Sequence, residues 1–162
     1  MNVSRKGHGE NAMIEAKVTR TQPLRTQRQF VAQSGSGHHL LLDDSAGATG
    51  PKPIELVAVG LAGCTAFDVI TILRQKYRQH VAAYEVRVEA DQAERPPQVF
   101  TTVRIHHVIT GYDVDPAAVE EAIRLSEEKY CSVGAMLKQT AAFHTTYEIA
   151  AEMGAEKPQP VA

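Results

Sequence analysis

The amino-acid sequence predicts an α+β fold built on antiparallel sheet, and three observations support that class. Several segments alternate apolar and polar residues, which is the pattern of strands with one buried face. One helix-length segment is almost wholly apolar and a second is amphipathic. The strand segments are grouped next to one another instead of alternating with helices, and this order favours α+β over α/β architecture.

The N-terminal part of the chain contains three strand candidates. Residues 14–18 alternate Ile, Ala and Val with polar residues, which predicts a half-buried strand. Two further strands are predicted over 28–33 and 38–42. The Ser-Gly-Ser-Gly sequence at 34–37 predicts the turn between them.

The segment 54–73 predicts a long apolar helix. Fourteen of its twenty residues are apolar, and its only charged residues are Glu55 and Asp68. The length would suit a membrane span, but two carboxylates inside lipid are costly. We therefore expect no membrane association and a helix buried on nearly every side. A chain of this size cannot surround such a helix alone, which predicts a homo-oligomer.

The C-terminal half begins with two more strands and an amphipathic helix. Alternation predicts strands over 84–90 and 98–109, joined by a proline-containing loop. Asp115 and Pro116 predict the N-cap and the first residue of the helix. Four apolar residues are predicted on its inner face: Val119, Ala122, Ile123 and Tyr130.

A short helix is predicted after Cys131, and alternation over 143–149 predicts a last strand.

Composition places the chain among ordinary globular proteins and excludes some partners. Of its 162 residues, 43% are hydrophobic and 22% are charged, which is typical of a globular domain. The net charge of -2 and the absence of Trp argue against a nucleic-acid partner. We expect a disordered N-terminal extension over 1–12, a single domain over 13–150 and a loose C-terminal tail over 151–162. No secretory signal is visible, so we expect a cytoplasmic protein.

Cys64 and Cys131 are the two cysteines of the chain. On a helix Asp68 lies one turn after Cys64, within reach of its side chain. A buried cysteine often acts only as a small hydrophobic residue, whereas a reactive thiol needs a nearby cation to favour the thiolate. Both interpretations of Cys64 stay open. The candidate cations lie on the N-terminal segments: Arg20, Arg25 and Arg28.

Cys131 precedes the predicted short helix. If that helix begins near Ser132, its free N–H groups would favour a thiolate at Cys131. A packed, inert thiol is an equal alternative.

The histidines do not predict a metal site. His38-His39 and His106-His107 are adjacent pairs on predicted strands, so the two members of each pair point to opposite faces. That geometry is unsuited to chelation within a pair, and we expect neither a metal nor another cofactor. His38 follows the Ser-Gly-Ser-Gly turn and is a candidate site residue.

The contexts of the two cysteines resemble the OsmC/Ohr family, the osmotically inducible and organic hydroperoxide resistance proteins. The matching strings are PIELV at 53–57, GCTAFDV at 63–69 and EKYCSV at 128–133. The similarity runs from about Met13 to Ile149 and is greatest to a less characterised OsmC-like branch. It implies an intertwined homodimer, with sheets wrapped around long buried central helices and active sites at the subunit interface.

The resemblance also implies thiol-dependent reduction of organic hydroperoxides. Cys64 matches the peroxidatic cysteine and Cys131 the resolving one, and a small or protein-bound dithiol would restore the pair. One position departs from the peroxidases, because Ile54 stands where they have a glutamate that helps to hold the activating arginine. Glu55 matches an adjacent acidic position, and Asp68 is a hypothetical replacement for the lost carboxylate.

This departure leaves two other functions open. One is a non-enzymatic dimer that binds a hydrophobic ligand or senses redox state on the same fold. The other is a different thiol reaction, such as acyl or sulfur transfer.

Overall fold

The computed structural model describes residues 13–20, 29–44 and 49–151. The predicted extension over 1–12 lies outside the described residues, as does the predicted tail apart from Ala151, the last residue of the final strand. The strands are β1 (Ala16–Arg20), β2 (Phe30–Ser34), β3 (His39–Leu42), β4 (His80–Gln92), β5 (Phe100–Tyr112) and β6 (Ala142–Ala151). The helices are α1 (Pro53–Thr71), α2 (Pro116–Leu125) and α3 (Ser132–Leu137). Two π-helical turns, Ile72–Lys76 and Ser126–Tyr130, extend α1 and α2.

The chain forms two compact units, Met1–Glu55 and Leu56–Ala162. The sheet of the first unit has the order β1-β2-β3, and both pairs are antiparallel. The predicted turn between β2 and β3 is confirmed. Gly37 donates its N–H to the carbonyl of Ser34 at 2.9 Å, and its φ of 87° disfavours any residue with a Cβ.

Every side chain of β1 is exposed, so the expected half-buried strand is wrong for the single chain. The alternation of residues 14–18 identifies which face of a strand is apolar. It does not supply the layer of side chains that would cover that face.

The loop after β3 is organised by Asp43, a buried carboxylate. It accepts hydrogen bonds from the side chain of Gln29, the backbone N–H of Asp44, and both the hydroxyl and the N–H of Thr49. These donors, the Thr49 hydroxyl foremost, lower the pKa of Asp43 to about 2.

In the second unit α1 presents a buried stripe on one side. Leu61, Thr65 and Val69 follow one another at a spacing of four residues and are buried. On other sides of the helix Val59 is 63% exposed and Phe67 is 78% exposed. The single chain therefore leaves part of α1 uncovered, and the expectation that a second copy completes its burial stays a prediction. Covering a helix all round needs packed layers all round it, and one copy of this chain leaves apolar positions of α1 open.

The length and composition of α1 also suit a membrane. Among the described residues one helical stretch, Pro53–Lys76, is long and apolar enough to cross a membrane. An 18-residue part of this stretch has a mean hydropathy of 2.1, and 22% of that part is buried. The core helix of a soluble protein meets the same two criteria, so they do not distinguish the alternatives.

The sheet of the second unit has the order β4-β5-β6 and is mixed. β4 and β5 form the predicted antiparallel hairpin, but β5 and β6 are parallel. The prediction of purely antiparallel sheets is therefore wrong for this pair. Parallel neighbours need a long crossover connection, and residues 113–141 supply it with two helices.

The core of the second unit lies between this sheet and the helices. Its fully buried members include Val69 and Leu73 from the α1 region, Ile109 from β5, and Val119 and Ala122 from α2. The burial of such apolar side chains is the main favourable contribution to the stability of the unit.

The start of α2 agrees with the sequence and its end does not. Asp115 accepts the N–H of Ala117 at 3.0 Å, and Pro116 is the first helical residue, which confirms the predicted N-cap. Val119 is fully buried as expected, but Tyr130 is 48% exposed. The π-helical turn over Ser126–Tyr130 changes the rotation per residue, so the 3.6-residue pattern no longer places Tyr130 on the inner face.

Candidate functional site

The two cysteines meet beside a carboxylate in the second unit. The sulfur atoms of Cys64 and Cys131 and a carboxylate oxygen of Asp68 all lie within 4.8 Å of one another. Both thiols are free. Cys64 and Asp68 are half-buried, one turn apart on α1, whereas Cys131 is only 5% exposed. We call these three residues the dithiol site.

Cys131 is positioned by the π-helical turn and by α3. Its N–H donates to the carbonyl of Ser126 at 2.8 Å, which closes the turn. Its sulfur accepts the N–H of Gly134 at 3.3 Å and caps α3, which begins at Ser132 as the sequence predicts. A Cβ on Gly134 would lie 3.2 Å from the Cys131 sulfur, so this close approach depends on the glycine.

Ser126 joins the two helices that carry the dithiol site. It is fully buried, and its hydroxyl lies 3.0 Å from Asp68 Oδ2 and 3.2 Å from Thr65 Oγ1. Sequence analysis missed this residue. Helical spacing could have identified it, because Ser126 follows the buried residues Ala122 and Ile123 by four and three positions. A polar residue at such a position lies on the buried face of the helix.

Burial and neighbouring acidic groups keep Cys131 protonated. Burial, followed by the hydrogen bond and charge of Cys64 and by the charge of Asp68, raises the pKa of Cys131 to about 12, against the opposing effect of the Gly134 N–H. Burial also raises the pKa of Asp68, and the hydrogen bond from Ser126 opposes that rise. Cys131 is therefore a thiol at neutral pH, and the more exposed Cys64 is the cysteine able to meet a substrate first.

A second polar pair lies on the sheet of the same unit. The hydroxyl of Tyr84 is 2.6 Å from Nδ1 of the fully buried His107. Burial lowers the pKa of His107 to about 4, and burial together with the charge of Asp68 raises the pKa of Tyr84. Both side chains are thus neutral near pH 7. Among the described residues, Nε2 of His107 has no hydrogen-bond partner.

His106 shows the expected opposite orientation. Its Nδ1 lies 2.8 Å from the hydroxyl of Thr146, and the side chain is one-third exposed. The prediction that adjacent histidines on a strand point to opposite faces is confirmed for this pair.

A surface cavity of about 390 Å³ opens beside Asp68. It is lined by Phe67, Asp68, Thr71, Ile72, Gln75, Lys76 and Tyr130. Its walls combine aromatic and aliphatic carbon with one carboxylate and one ammonium group, which is a surface suited to an amphipathic small molecule.

The other predicted site residues belong to the first unit or lie outside the described residues. The Glu55 carboxylate accepts the backbone N–H of Lys52 at 2.9 Å and so caps the start of α1. Nδ1 of His38 lies 3.0 Å from the Ser36 hydroxyl in the turn after β2. Arg20 is exposed at the end of β1, whereas Arg25 and Arg28 fall outside the described residues, so the cation predicted for Cys64 stays a prediction.

The chain is similar to proteins of one family. A family model described as OsmC-like protein matches residues 44–146. Protein YhfA of Escherichia coli strain K12 is 42% identical over 122 residues, which cover 75% of this chain and 90% of that protein.

Two solved structures share the fold, with its two sheets and central helix. A hypothetical protein from Aquifex aeolicus VF5 has 28% identity and a TM-score of 0.75, covering 87% of this chain and 98% of that one. A Legionella pneumophila protein described as an organic hydroperoxide resistance protein OsmC and predicted redox protein has 16% identity and a TM-score of 0.62, covering 86% and 98%. At that identity the second likeness shows the fold alone.

Proposed function

Because the chain belongs to the OsmC-like protein family, we propose that it is a thiol-dependent peroxidase that reduces organic hydroperoxides through Cys64 and Cys131. The observation that carries this proposal is the approach of the two sulfur atoms to within 4.8 Å, from positions far apart in the sequence. The description of the Legionella pneumophila protein with this fold supports the choice of organic hydroperoxides as substrate class.

The first step uses Cys64 as the nucleophile. Its thiolate attacks the terminal oxygen of the hydroperoxide, the O–O bond breaks, and the sulfur loses two electrons to become a sulfenic acid. The departing alkoxide takes one proton and leaves as the alcohol. Asp68 lies beside Cys64, and burial raises the pKa of its carboxyl group, so it is suited to hold the thiol proton and return it to the alkoxide.

The second step closes the disulfide. The Cys131 sulfur attacks the sulfenic sulfur of Cys64, its thiol proton is lost, and the hydroxyl group leaves as water. Because the pKa of Cys131 is raised, a neighbouring base must accept that proton and pass it to the departing hydroxyl group, and Asp68 is within reach. A small or protein-bound dithiol then reduces the disulfide by exchange and is itself oxidised.

The remaining parts of the proposal concern activation and assembly. Arg25 or Arg28 supplies the cation that favours the Cys64 thiolate, and Asp68 is the candidate carboxylate to hold that cation, since Ile54 replaces the glutamate of the peroxidases. A second copy of the chain covers the exposed apolar residues of α1, including Phe67, in an intertwined homodimer.

Proteins of the OsmC family are soluble, so α1 is a core helix of such a protein rather than a membrane span. A cytoplasmic location is part of the proposal, because the mechanism requires both cysteines to return to the thiol state after each turnover.

The test is consumption of cumene hydroperoxide by the purified full chain with dithiothreitol or a lipoylated protein as reductant. We expect steady turnover in the wild type and none in Cys64→Ser. In the absence of any added dithiol, Cys131→Ser should complete one reaction per chain and accumulate a sulfenic acid that dimedone traps. Glu94→Gln changes an exposed carboxylate in the β4–β5 loop and is the matched control. Failure to reduce any bulky organic hydroperoxide would contradict the proposal.

The cavity of about 390 Å³ beside Asp68 supports a second candidate function, a non-enzymatic dimer that binds a hydrophobic ligand. An apolar molecule retained through purification, with no peroxide reduction, would favour this alternative. Rapid disulfide formation without turnover by any reductant would instead favour a redox sensor.

A further inference from the structure

We propose that the reduced dithiol site binds one zinc-type divalent cation through Cys64, Cys131 and Asp68. This inference is independent of peroxidase activity, because it concerns only which side chains the fold brings together. The three side chains offer two sulfur atoms and one carboxylate oxygen, all within 4.8 Å of one another. Thiolate and carboxylate are ligands that Zn²⁺ accepts in proteins.

The spacing of these atoms is close to what a tetrahedral zinc site needs. Zn–S bonds of about 2.3 Å and Zn–O bonds of about 2.1 Å place two sulfur ligands about 3.8 Å apart, and a sulfur and an oxygen about 3.6 Å apart. From separations of at most 4.8 Å, the sulfur atoms need to approach one another by no more than about 1.0 Å, and the sulfur and oxygen atoms by no more than about 1.2 Å. Cys64 and Asp68 share one face of α1, so much of this geometry is preset by the helix.

The electrostatics of the site also favour a cation. If all three groups were ionised, the two sulfur atoms and the carboxylate oxygen, within 4.8 Å of one another, would repel each other. A divalent cation bound between the three groups would replace their protons and remove this mutual repulsion.

A hydrogen bond orients one ligand of the site, Asp68, and one side of the site is accessible to solvent. The Ser126 hydroxyl, fully buried, lies 3.0 Å from Asp68 Oδ2 and orients the carboxylate, as hydrogen bonds to metal ligands commonly do. Cys131 is buried, whereas Cys64 and Asp68 are half-buried, so a cation can enter from their side. Three protein ligands leave the fourth tetrahedral position to water.

Metal binding and disulfide formation exclude each other chemically. Binding converts two thiols and Zn²⁺ into two zinc-bound thiolates and releases two protons, plus a third where Asp68 is protonated. Oxidation of both sulfur atoms to a disulfide removes two of the three ligands. We therefore expect Zn²⁺ to protect the reduced pair and a thiol oxidant to release the metal.

The experiment measures metal affinity of the reduced full chain against a chromophoric chelator, without any peroxide. We expect about one Zn²⁺ per chain with a Kd of about 1 µM or tighter, and an affinity that rises with pH because binding releases protons. Co²⁺ in place of Zn²⁺ should show a thiolate-to-metal charge-transfer band. Diamide, which oxidises dithiols, should release the metal.

Variants at each position test the contribution of the three ligands to metal binding one at a time. Cys64→Ser and Cys131→Ser should each weaken the charge-transfer band and lose micromolar affinity. Asp68→Asn should lower affinity about 10-fold or more while the band persists, and Glu94→Gln should bind as the wild type does. Circular dichroism establishes that each variant is folded. No binding by the reduced wild type, or an unchanged affinity in Asp68→Asn, would overturn the proposal.

Discussion

Replacing Ser126 by Ala tests whether this buried hydroxyl holds the dithiol site together. The hydroxyl is fully buried and contacts two oxygen atoms on α1, Asp68 Oδ2 at 3.0 Å and Thr65 Oγ1 at 3.2 Å. Alanine fits the same space, so the substitution removes a hydrogen-bond donor without adding bulk. It leaves the buried Thr65 hydroxyl and one carboxylate oxygen without this partner.

The expected loss of stability depends on the two groups, Asp68 and Thr65, that no longer contact the Ser126 hydroxyl. A hydrogen bond to a charged group contributes about 1.5–3 kcal/mol to stability, and a neutral one about 1 kcal/mol. Ser126 has one proton to donate, and water can reach the half-buried Asp68 in the variant. We therefore expect the free energy of unfolding to fall by about 1.5–2.5 kcal/mol, or Tm by about 3–10 °C for a chain of this size.

The assay is urea unfolding followed by far-ultraviolet circular dichroism, since the chain contains no Trp. Ser132→Ala, at an exposed position in the first turn of α3, is the matched control and should change stability by less than about 0.5 kcal/mol. The pKa of Asp68 should also rise in the variant, because the hydrogen bond that lowers it is gone. A loss of under about 0.5 kcal/mol with an unchanged Asp68 titration would refute this reasoning.

Three further predictions concern other parts of the molecule. Phe67→Asp places a charge at a 78% exposed apolar position, and it should convert a dimer into monomers in sedimentation experiments, whereas Glu94→Gln should not. His107 should make the fold less stable in acid, because its pKa of about 4 in the folded protein lies below the value near 6.5 in the unfolded chain. The free energy of unfolding that His107 contributes is therefore complete above about pH 6.5 and is lost as the pH falls to about 4. In His107→Phe the slope of unfolding free energy against pH should be smaller over that range. Gly134→Ala puts a Cβ 3.2 Å from the Cys131 sulfur, so the sulfur must shift, and disulfide formation after one equivalent of hydroperoxide should slow. Mass spectrometry of quenched samples would measure that rate, and an unchanged rate would show that the sulfur tolerates the Cβ.

Features that depend on neighbouring residues could be predicted from the sequence. The Asp115 cap, the turn at Gly37 and the start of α3 at Ser132 each follow from hydrogen bonds within about one turn of chain. The closeness of Cys64 and Asp68 follows in the same way from their spacing on a helix.

Features that depend on packing could not be predicted from the same pattern. The alternation of residues 143–149 identified β6 but not its direction, because parallel and antiparallel strands share a period of two. The exposure of Tyr130 depends on a π-helical turn that a 3.6-residue period does not reveal.

The sequence by itself determined the elements, the apolar character of α1, and two chemically suggestive cysteine contexts. Only the tertiary structure decided that Cys131 reaches the side of Cys64 and Asp68, and that a buried Ser126 supports them. The physical reason is the separation along the chain over which each kind of interaction acts. Backbone propensity, capping and helical spacing act over a few residues, whereas the meeting of two distant sulfur atoms depends on how α1 and α2 pack against one sheet.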